Sequence, residues 1–399
     1  MRVLLLDVNC KYSSTGKIVY SLYNELNNRG YQAAICYGRG KKINEPNIYK
    51  FGIDVETWAH AGLSRITGLN GYFSLLSTIR LLLFIEKYKP DVIHIHELHA
   101  YFVNYFWLLK YIKKRNIQTV WTFHCEYMYT GKCGHANECH LFRDKCGNCH
   151  HLHEYPKSLF FDFTKKMLMD KKRCFEDFQV MLAVPSKWSA NRVKLSFLKD
   201  RTIRVVFNGV DTNVFFQRSD AEISQIMKKY GIAGSFILAV APHIMDEKKG
   251  GGWILRIAKH IPELNFVLIG AEQKNGERYG NVVILPVIED ANELACFYSK
   301  ADLFLLCSAR ETFSMTCAEA LCCGTLVRGF KCGAPETIFE APYAQFFEYG
   351  DLENLVGNIK DVVKKKNIDR IACSKYGTEH FSEFRMAEEY IRLYRGNEW

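Results

Sequence analysis

Two carboxylates eight residues apart, Glu311 and Glu319, lie in the run ETFSMTCAEALCCGT that spans residues 311–325. The run follows Ala301–Ser308 (ADLFLLCS), which has the composition of a fully buried parallel strand. A short helix is expected from about Ser314 to Cys323, closed by Gly324 at its C-cap. A helix that starts just past a strand end aims its first free amides outward, which makes a site for phosphate. Carboxylates beside such a site are poor phosphate ligands. They are good acceptors for the paired hydroxyls of a sugar. An anion at the helix tip with sugar hydroxyls beside it describes a nucleotide-sugar, although spacing alone equally fits a surface loop and one solvated Glu.

Other segments carry residues suited to chemistry. His124 ends the apolar strand TVWTFH, at the carboxyl edge where open α/β sheets bind ligands. Upstream, DVIHIHELH places His94 and His96 on one side of a strand, which fits either a zinc site or hydrogen-bonded structural histidines. Val8–Ile18 (VNCKYSSTGKI) opens the first helix after the first strand. Ser13, Ser14 and Thr15 are capping residues there, and Gly16 allows a ligand close to the backbone. Phe236–Gly252 (FILAVAPHIMDEKKGGG) is a strand, a loop with Lys248 and Lys249, and a glycine-rich helix start. Four cysteines, Cys133, Cys139, Cys146 and Cys149, crowd the segment CGHANECHLFRDKCGNC, with His135, His140, His150, His151 and His153 nearby. Thiolates at this density suit one structural, tetrahedral zinc, and the apolar-poor stretch around them needs a cross-link to hold its shape.

The elements that must position these groups alternate. Strand-like runs at 3–8, 33–38, 91–96, 119–124, 180–185, 203–207, 236–241, 265–269, 282–287, 303–307 and 325–330 are separated by helical stretches. That pattern predicts an α/β protein with two successive parallel sheets. The Asn-Gly turn in Val205–Asp211 suggests a change of domain near Phe207. A helix from about Tyr72 to Glu86 shows Tyr72, Leu75, Leu76, Ile79, Leu82 and Leu83 on one side and is expected to pack on the core, with membrane contact as the lesser alternative.

Glu311, Phe313, Glu319, Ala320, Cys323, Gly324 and Thr325 together resemble the signature of the retaining glycosyltransferases of family 4, whose GT-B fold sets two Rossmann-like, doubly wound domains across a cleft. The resemblance extends from STGKI, through the Cys-rich insertion flanked by TGKC and EYPKS, to GAPE at 333–336. A subgroup in bacterial polysaccharide biosynthesis carries the same loop and insertion. It implies that Glu319 holds the donor ribose, that Glu311 lies by the transferred sugar, and that amides of Phe313, Ser314, Met315 and Thr316 hold the diphosphate with Lys249. Gly16 is expected near the donor phosphates or acceptor, and His124 beside the donor sugar and acceptor, as a catalytic residue with Glu311 and Lys249. Glu336 is expected to cap a helix. The sequence departs from the family pattern at Ser314, commonly Gly, at Leu326, commonly Pro, and at His243, where an Arg is usual. The domains implied are 1–206 for the acceptor, with the insertion at 130–155, 207–384 for the donor, and a segment 385–399 that crosses back to the first.

Composition narrows the partners. The chain has 399 residues, 48% hydrophobic and 24% charged, enough for two sizeable cores. Residues 1–200 hold 29 Lys and Arg against 17 Asp and Glu, a surplus of +12, while the rest hold 24 against 26, a balance of −2. On charge alone a basic first half suits an anionic membrane surface, a lipid diphosphate or nucleic acid, and equally a generic solvated surface. Met1-Arg2 runs directly into VLLLDV without a cleavage pattern, so no secretory signal is expected. Fifteen cysteines then point to reduced thiols in the cytoplasm, on the inner face of the membrane where the acceptor is lipid-linked. No Asp-x-Asp occurs, so transfer is expected to need no metal cofactor. The expected donor is a UDP- or GDP-sugar and the expected acceptor a hydroxyl of a glycan; nucleic acid is not an expected partner. Two rival readings are a sugar-nucleotide epimerase or phosphorylase on the same fold, and a non-catalytic zinc and nucleotide-binding protein.

Overall fold

The computed structural model describes residues 1–272, 276–365 and 369–396. The chain divides into two compact units, Met1–Phe207 with Met386–Trp399, and Asn208–Arg385. Of the C-terminal segment expected at 385–399, residues 397–399 lie outside the described residues.

The first unit holds seven parallel strands: β1 (Arg2–Asp7), β2 (Gln32–Tyr37), β3 (Ile48–Lys50), β4 (Val92–Ile95), β5 (Gln118–Thr122), β6 (Met181–Val184) and β7 (Ile203–Val205). Their order is β3-β2-β1-β4-β5-β6-β7. Val3, Leu4, Leu5 and Leu6 are all fully buried, because a doubly wound sheet is covered on both faces and its central strand reads as one apolar run. The chain winds outward from β1 to β3, then returns to the other side of β1 as β4. Strand order therefore reverses between β1 and β4, and loops leaving those two strand ends open a crevice. The helix Glu383–Tyr394 reaches this unit with Tyr390 and Tyr394 buried. The Tyr394 hydroxyl meets His94 Nδ1 at 2.6 Å, and that of Tyr390 meets Thr122 Oγ1 at 3.0 Å.

The second unit repeats the plan with β8 (Ile237–Val240), β9 (Phe266–Ala271), β10 (Glu277–Tyr279), β11 (Val282–Pro286), β12 (Leu303–Leu306), β13 (Val327–Phe330) and β14 (Ala344–Phe347). The order is β10-β11-β9-β8-β12-β13-β14, and only the β10–β11 pair is antiparallel. Here the reversal falls between β8 and β12. Ile237, Ala239, Leu268, Leu303 and Leu305 form the centre of its core. All eleven expected strands are present; β3, β10 and β14, each at a sheet edge, were not expected.

One helix corrects the sequence reading. It runs Leu75–Tyr88, and its core face is Ser77, Thr78, Leu81 and Ile85 rather than the apolar stripe. Leu75, Leu76, Ile79 and Leu83 face solvent, Leu76 at 61% and Leu83 at 64% exposure, and only Tyr72 and Leu82 of the expected six are half-buried. Hydrogen bonds explain the rotation. The Glu56 carboxylate accepts from the amides of Leu76 and Ser77 and from the Ser77 hydroxyl at 2.6–2.8 Å. Thr78 Oγ1 donates to the Ser74 carbonyl and accepts from the Asn104 amide. Satisfied polar groups thus fix the inner face, and the leucines are left outside. Among the described residues no helix is long and apolar enough to cross a membrane.

Candidate active site

In the second unit the loops after β8 and β12 meet at the switch point. The loop after β8 ends in the short 3-10 turn Glu247–Lys249, followed by the helix Gly251–His260. Gly250 has φ +82°, and a Cβ there would stand 2.1 Å from the Cys307 carbonyl oxygen just past β12. Only glycine permits that approach. The Ala309 amide donates to the Lys248 carbonyl at 3.0 Å, which fastens the two loops. Lys249 Nζ is thereby held 3.1 Å from Glu311 Oε1. The backbone of Glu311 is fixed in turn by Cys332 and Ala334, at 2.9 and 3.1 Å. Glu336 steadies that support, its carboxylate accepting from the amides of Cys332 and Gly333 at 2.9–3.1 Å.

Ser314 precedes the helix Met315–Cys322 with φ 76°, a left-handed conformation that costs a non-glycine residue about 1–3 kcal/mol. This explains why glycine is the usual residue in the pattern it departs from. The Ser314 hydroxyl caps no amide of the first turn and instead lies 3.2 Å from Thr316 Oγ1 and from Cys317 Sγ. Met315 and Thr316 are half-buried at the helix start. Phe313 is 2% exposed, its ring packed on Phe339 and Phe381 at 5.8 and 6.2 Å. Its side chain is core. Glu319 sits one turn into the helix, and its Oε2 accepts from the Tyr298 hydroxyl at 2.9 Å. Burial, with Glu319 beside it, pushes the Tyr298 phenol well up. Sequence reasoning missed Tyr298, since nothing in CFYSK marks that side chain as a partner of a residue in another helix. His243, where an Arg was expected, is exposed with φ 53° and lies 2.5 Å from Glu272 Oε1.

The first unit gathers its own polar cluster at the carboxyl ends of β1, β4 and β5. Gly16 is buried in the first turn of the helix Ser14–Asn28, its amide on Ser13 Oγ at 3.2 Å. A Cβ there would press on the Asn9 backbone at 3.3 Å. His124 follows β5 at 7% exposure, Nε2 2.9 Å from His96 Nδ1. Burial lowers the pKa of His94, His96 and His124, which keeps this chain of imidazoles neutral. His94 also meets Thr122 Oγ1 at 2.8 Å, so both its ring nitrogens are engaged in hydrogen bonds. His96 Nε2 is buried without a partner.

Around His124 stand four residues the sequence did not single out: Asp7, Glu97, His99 and Cys125. Glu97 Oε2 lies 3.2 Å from both His99 Nε2 and Cys125 Sγ. The Glu97 amide donates to Asp7 Oδ1 at 3.1 Å. Burial raises the Asp7 carboxyl to about 7, against the lowering effect of the Glu97 amide bonded to it. Burial works against ionised Glu97 too, yet the His99 imidazole outweighs it and the carboxylate titrates low. Each lies at or near a strand end, and the position of those ends at a switch point is the signal that could have found them.

Cys133, Cys139, Cys146 and Cys149 line one cavity of about 20 Å³ in the insertion. Among the described residues, the group of three or more ligand-type side chains gathered within 4.8 Å of one another is Glu97, His99 and Cys125, not these four.

Two sheets of this topology, each with loops converging at the reversal of strand order, define the GT-B glycosyltransferase fold. Residues 15–214 match the family described as Glycosyltransferase Family 4, and residues 235–365 match Glycosyl transferases group 1. The chain belongs to glycosyltransferase family 4. It is 20% identical over 417 residues to WcaC of Escherichia coli (strain K12), named as a colanic acid biosynthesis glycosyl transferase, covering 99% of this chain and 100% of WcaC. Sucrose-phosphate synthase from Thermosynechococcus elongatus superposes with a TM-score of 0.70 at 14% identity, over 99% of this chain and 98% of that one. HepE from Anabaena, solved in complex with UDP-glucose, superposes with a TM-score of 0.66 at 13% identity, over 99% of this chain and 100% of HepE.

Proposed function

We propose that this glycosyltransferase moves a sugar, with retention of anomeric configuration, from a nucleoside diphosphate donor to a hydroxyl of a lipid-linked glycan in bacterial surface polysaccharide assembly. The observation that carries the reading is the meeting of Lys249, Glu311 and the uncapped start of helix Met315–Cys322 at the β8/β12 switch point. A diphosphate fits there because a cation and free helix amides both face the same strand ends. Glu319, one turn further along, accepts the ribose hydroxyls, and Glu311 lies by the transferred sugar, releasing Lys249 to the phosphates when donor arrives. Lys249 and the amides of residues 313–316 stabilise charge that grows on the leaving diphosphate. Those groups supply the role that a divalent metal plays elsewhere, so transfer itself needs none. The acceptor hydroxyl passes its proton to a departing phosphate oxygen on the same face. We assign the acceptor to the first unit, with His124 and Gly16 at its carboxyl edge. Complexes of relatives such as HepE with UDP-glucose support a uridine donor.

Donor choice is tested by thermal shift against UDP-, GDP-, ADP- and dTDP-sugars, because a ligand selective for the folded state raises the melting point by mass action. One base class should stabilise the protein strongly, and its free diphosphate should do so nearly as well. A flat response to the whole panel refutes the reading.

The outward-facing stripe Leu75, Leu76, Ile79 and Leu83, together with the +12 of residues 1–200, supports docking of the first unit on an anionic membrane at the cytoplasmic face. Arg80 and Lys87 lie on the same helix. Binding to vesicles rich in phosphatidylglycerol should weaken steeply with salt, since exposed charges are screened beyond about 8 Å at physiological ionic strength. Leu76→Ser with Leu83→Ser should weaken it further, by roughly tenfold for each leucine that inserts. Vesicle affinity that ignores both salt and the double substitution would mean the stripe has another use.

A further inference from the structure

Beyond sugar transfer, we infer that the insertion after His124 holds one structural zinc ion on Cys133, Cys139, Cys146 and Cys149, with two buried lysines as its counter-charges. The structure adds to the spacing of these cysteines an unusual pair of ammonium groups. Lys132 is 2% exposed and its Nζ donates to three carbonyl oxygens, those of His151, Leu152 and Glu154, at 2.6–2.9 Å. Lys171 is fully buried and its Nζ donates to the carbonyls of Tyr127, Thr130 and Gly131 at 2.6–3.2 Å, over the Tyr127 ring. Three acceptors per nitrogen match the three N–H donors that a charged ammonium offers.

Carbonyl dipoles solvate these charges without neutralising them, and a buried charge is costly unless it is paired. Lys132 lines the cavity together with Cys133 and Cys149, and Lys171 is bonded to the carbonyl of Gly131, which packs on Cys146. Neutral thiols cannot balance an ammonium. Four thiolates around one divalent cation carry a formal charge of −2, which two ammonium groups balance. On binding, zinc takes the place of the thiol protons, which pass to water.

The surroundings fit that assignment. All four cysteines line the same small cavity, with room for one ion and no more, and Thr130, Lys132, Phe142 and Gly147 are among the other residues of its wall. Gly131 is tight against Cys146, since a Cβ on it would lie 3.0 Å from the Cys146 Cβ. The sulfurs have to draw in toward the cavity centre to reach bonding distance, about 2.3 Å from the metal. His135, His140 and His150 are exposed while the cysteines are half-buried, which favours an all-sulfur site. Four sulfurs leave no open position, so the metal shapes the chain and takes no part in transfer. What it shapes is the segment beside His124. The Glu126 amide donates to the Gly134 carbonyl at 2.7 Å, and the Glu126 carboxylate accepts from the Ala136 amide and from Arg192 Nε at 2.5 and 2.6 Å.

The test uses the full chain, purified without a polyhistidine tag from zinc-supplemented cells and analysed by mass spectrometry for metals. About one zinc per chain is expected. Replacing it with cobalt(II) should give thiolate-to-metal charge transfer in the near ultraviolet and the strong visible bands of a tetrahedral site. Cys146→Ser should lose the metal. Cys125→Ser, which breaks the Glu97, His99 and Cys125 group, should keep it. Lys171→Met should weaken zinc by about 10–100-fold, the range for groups that support a ligand set from outside it. Should Cys146→Ser fail to fold, the cobalt spectrum of the unaltered chain decides. Metal-free protein with four freely titratable thiols, a cobalt spectrum without sulfur charge transfer, or metal that follows Cys125 rather than Cys146 overturns the inference. None of these results bears on donor binding in the second unit.

Discussion

Lys249→Ala should lower turnover by about 10²–10³-fold while donor affinity falls far less, the range found when one preorganised donor to a developing anion is removed. The reason lies in when its partner becomes charged. Lys249 has a carboxylate partner in Glu311 at 3.1 Å, so on the proposed reading donor binding exchanges one ionic partner for another and gains little. On the same reading, charge accumulates on the leaving diphosphate as the bond to the sugar breaks, and the ammonium gains an interaction absent from the ground state. Interactions stronger in the transition state raise kcat, whereas uniform ones change KM. Lys249→Arg should recover only part of the rate, because a forked guanidinium cannot occupy the position of a point charge held by the Gly250 turn. Equal loss of affinity and turnover would make Lys249 a binding residue only.

Glu319→Ala should weaken donor and nucleoside diphosphate product alike, by about 1.5–3 kcal/mol for each charge-assisted hydrogen bond lost to the ribose. That is roughly ten- to a hundredfold in affinity, measured by calorimetry with the diphosphate that the thermal-shift panel selects. The substitution also removes the acceptor of the buried Tyr298 hydroxyl, 2.9 Å away. An unsatisfied buried hydroxyl costs about 1–3 kcal/mol of stability, so a lower melting point should accompany the loss. Glu319→Gln separates the two effects. Its amide oxygen still accepts from Tyr298 and restores stability, but it lacks the charge and leaves the ribose weakly held. Unchanged product affinity in both variants would remove Glu319 from the site.

The interior strands were legible because parallel sheets buried on both faces write themselves as continuous apolar runs such as Val3–Leu6 and Leu303–Leu306. The edges were not. β3, β10 and β14 are three or four residues long, half-exposed in places, and carry no run of that kind. Motif and spacing nominated Glu311, Glu319 and Lys249 for the chemistry proposed in the second unit, yet the pairing of Lys249 with Glu311 depends on a 62-residue separation that only folding closes. The cluster of Asp7, Glu97, His99 and Cys125 shows the same limit, for its members come from three strands. Helix Leu75–Tyr88 was misread for a different reason. Periodicity identified an apolar stripe, but the hydrogen bonds of Ser77 and Thr78 decide which face turns inward. Where buried polar groups must be satisfied, they can override a stripe of leucines.

The measurement that tests the central claim most directly is acceptor-dependent release of nucleoside diphosphate. The donor chosen by thermal shift is incubated with the intact chain and a lipid-linked glycan fraction extracted from bacterial membranes, and free diphosphate is followed with time. The account predicts release that requires both acceptor and enzyme, falls by about 10²–10³-fold in Lys249→Ala, and yields a product whose anomeric proton coupling matches that of the donor. A donor that binds tightly and is never consumed with any acceptor fraction, or is turned over equally well by Lys249→Ala, would contradict it.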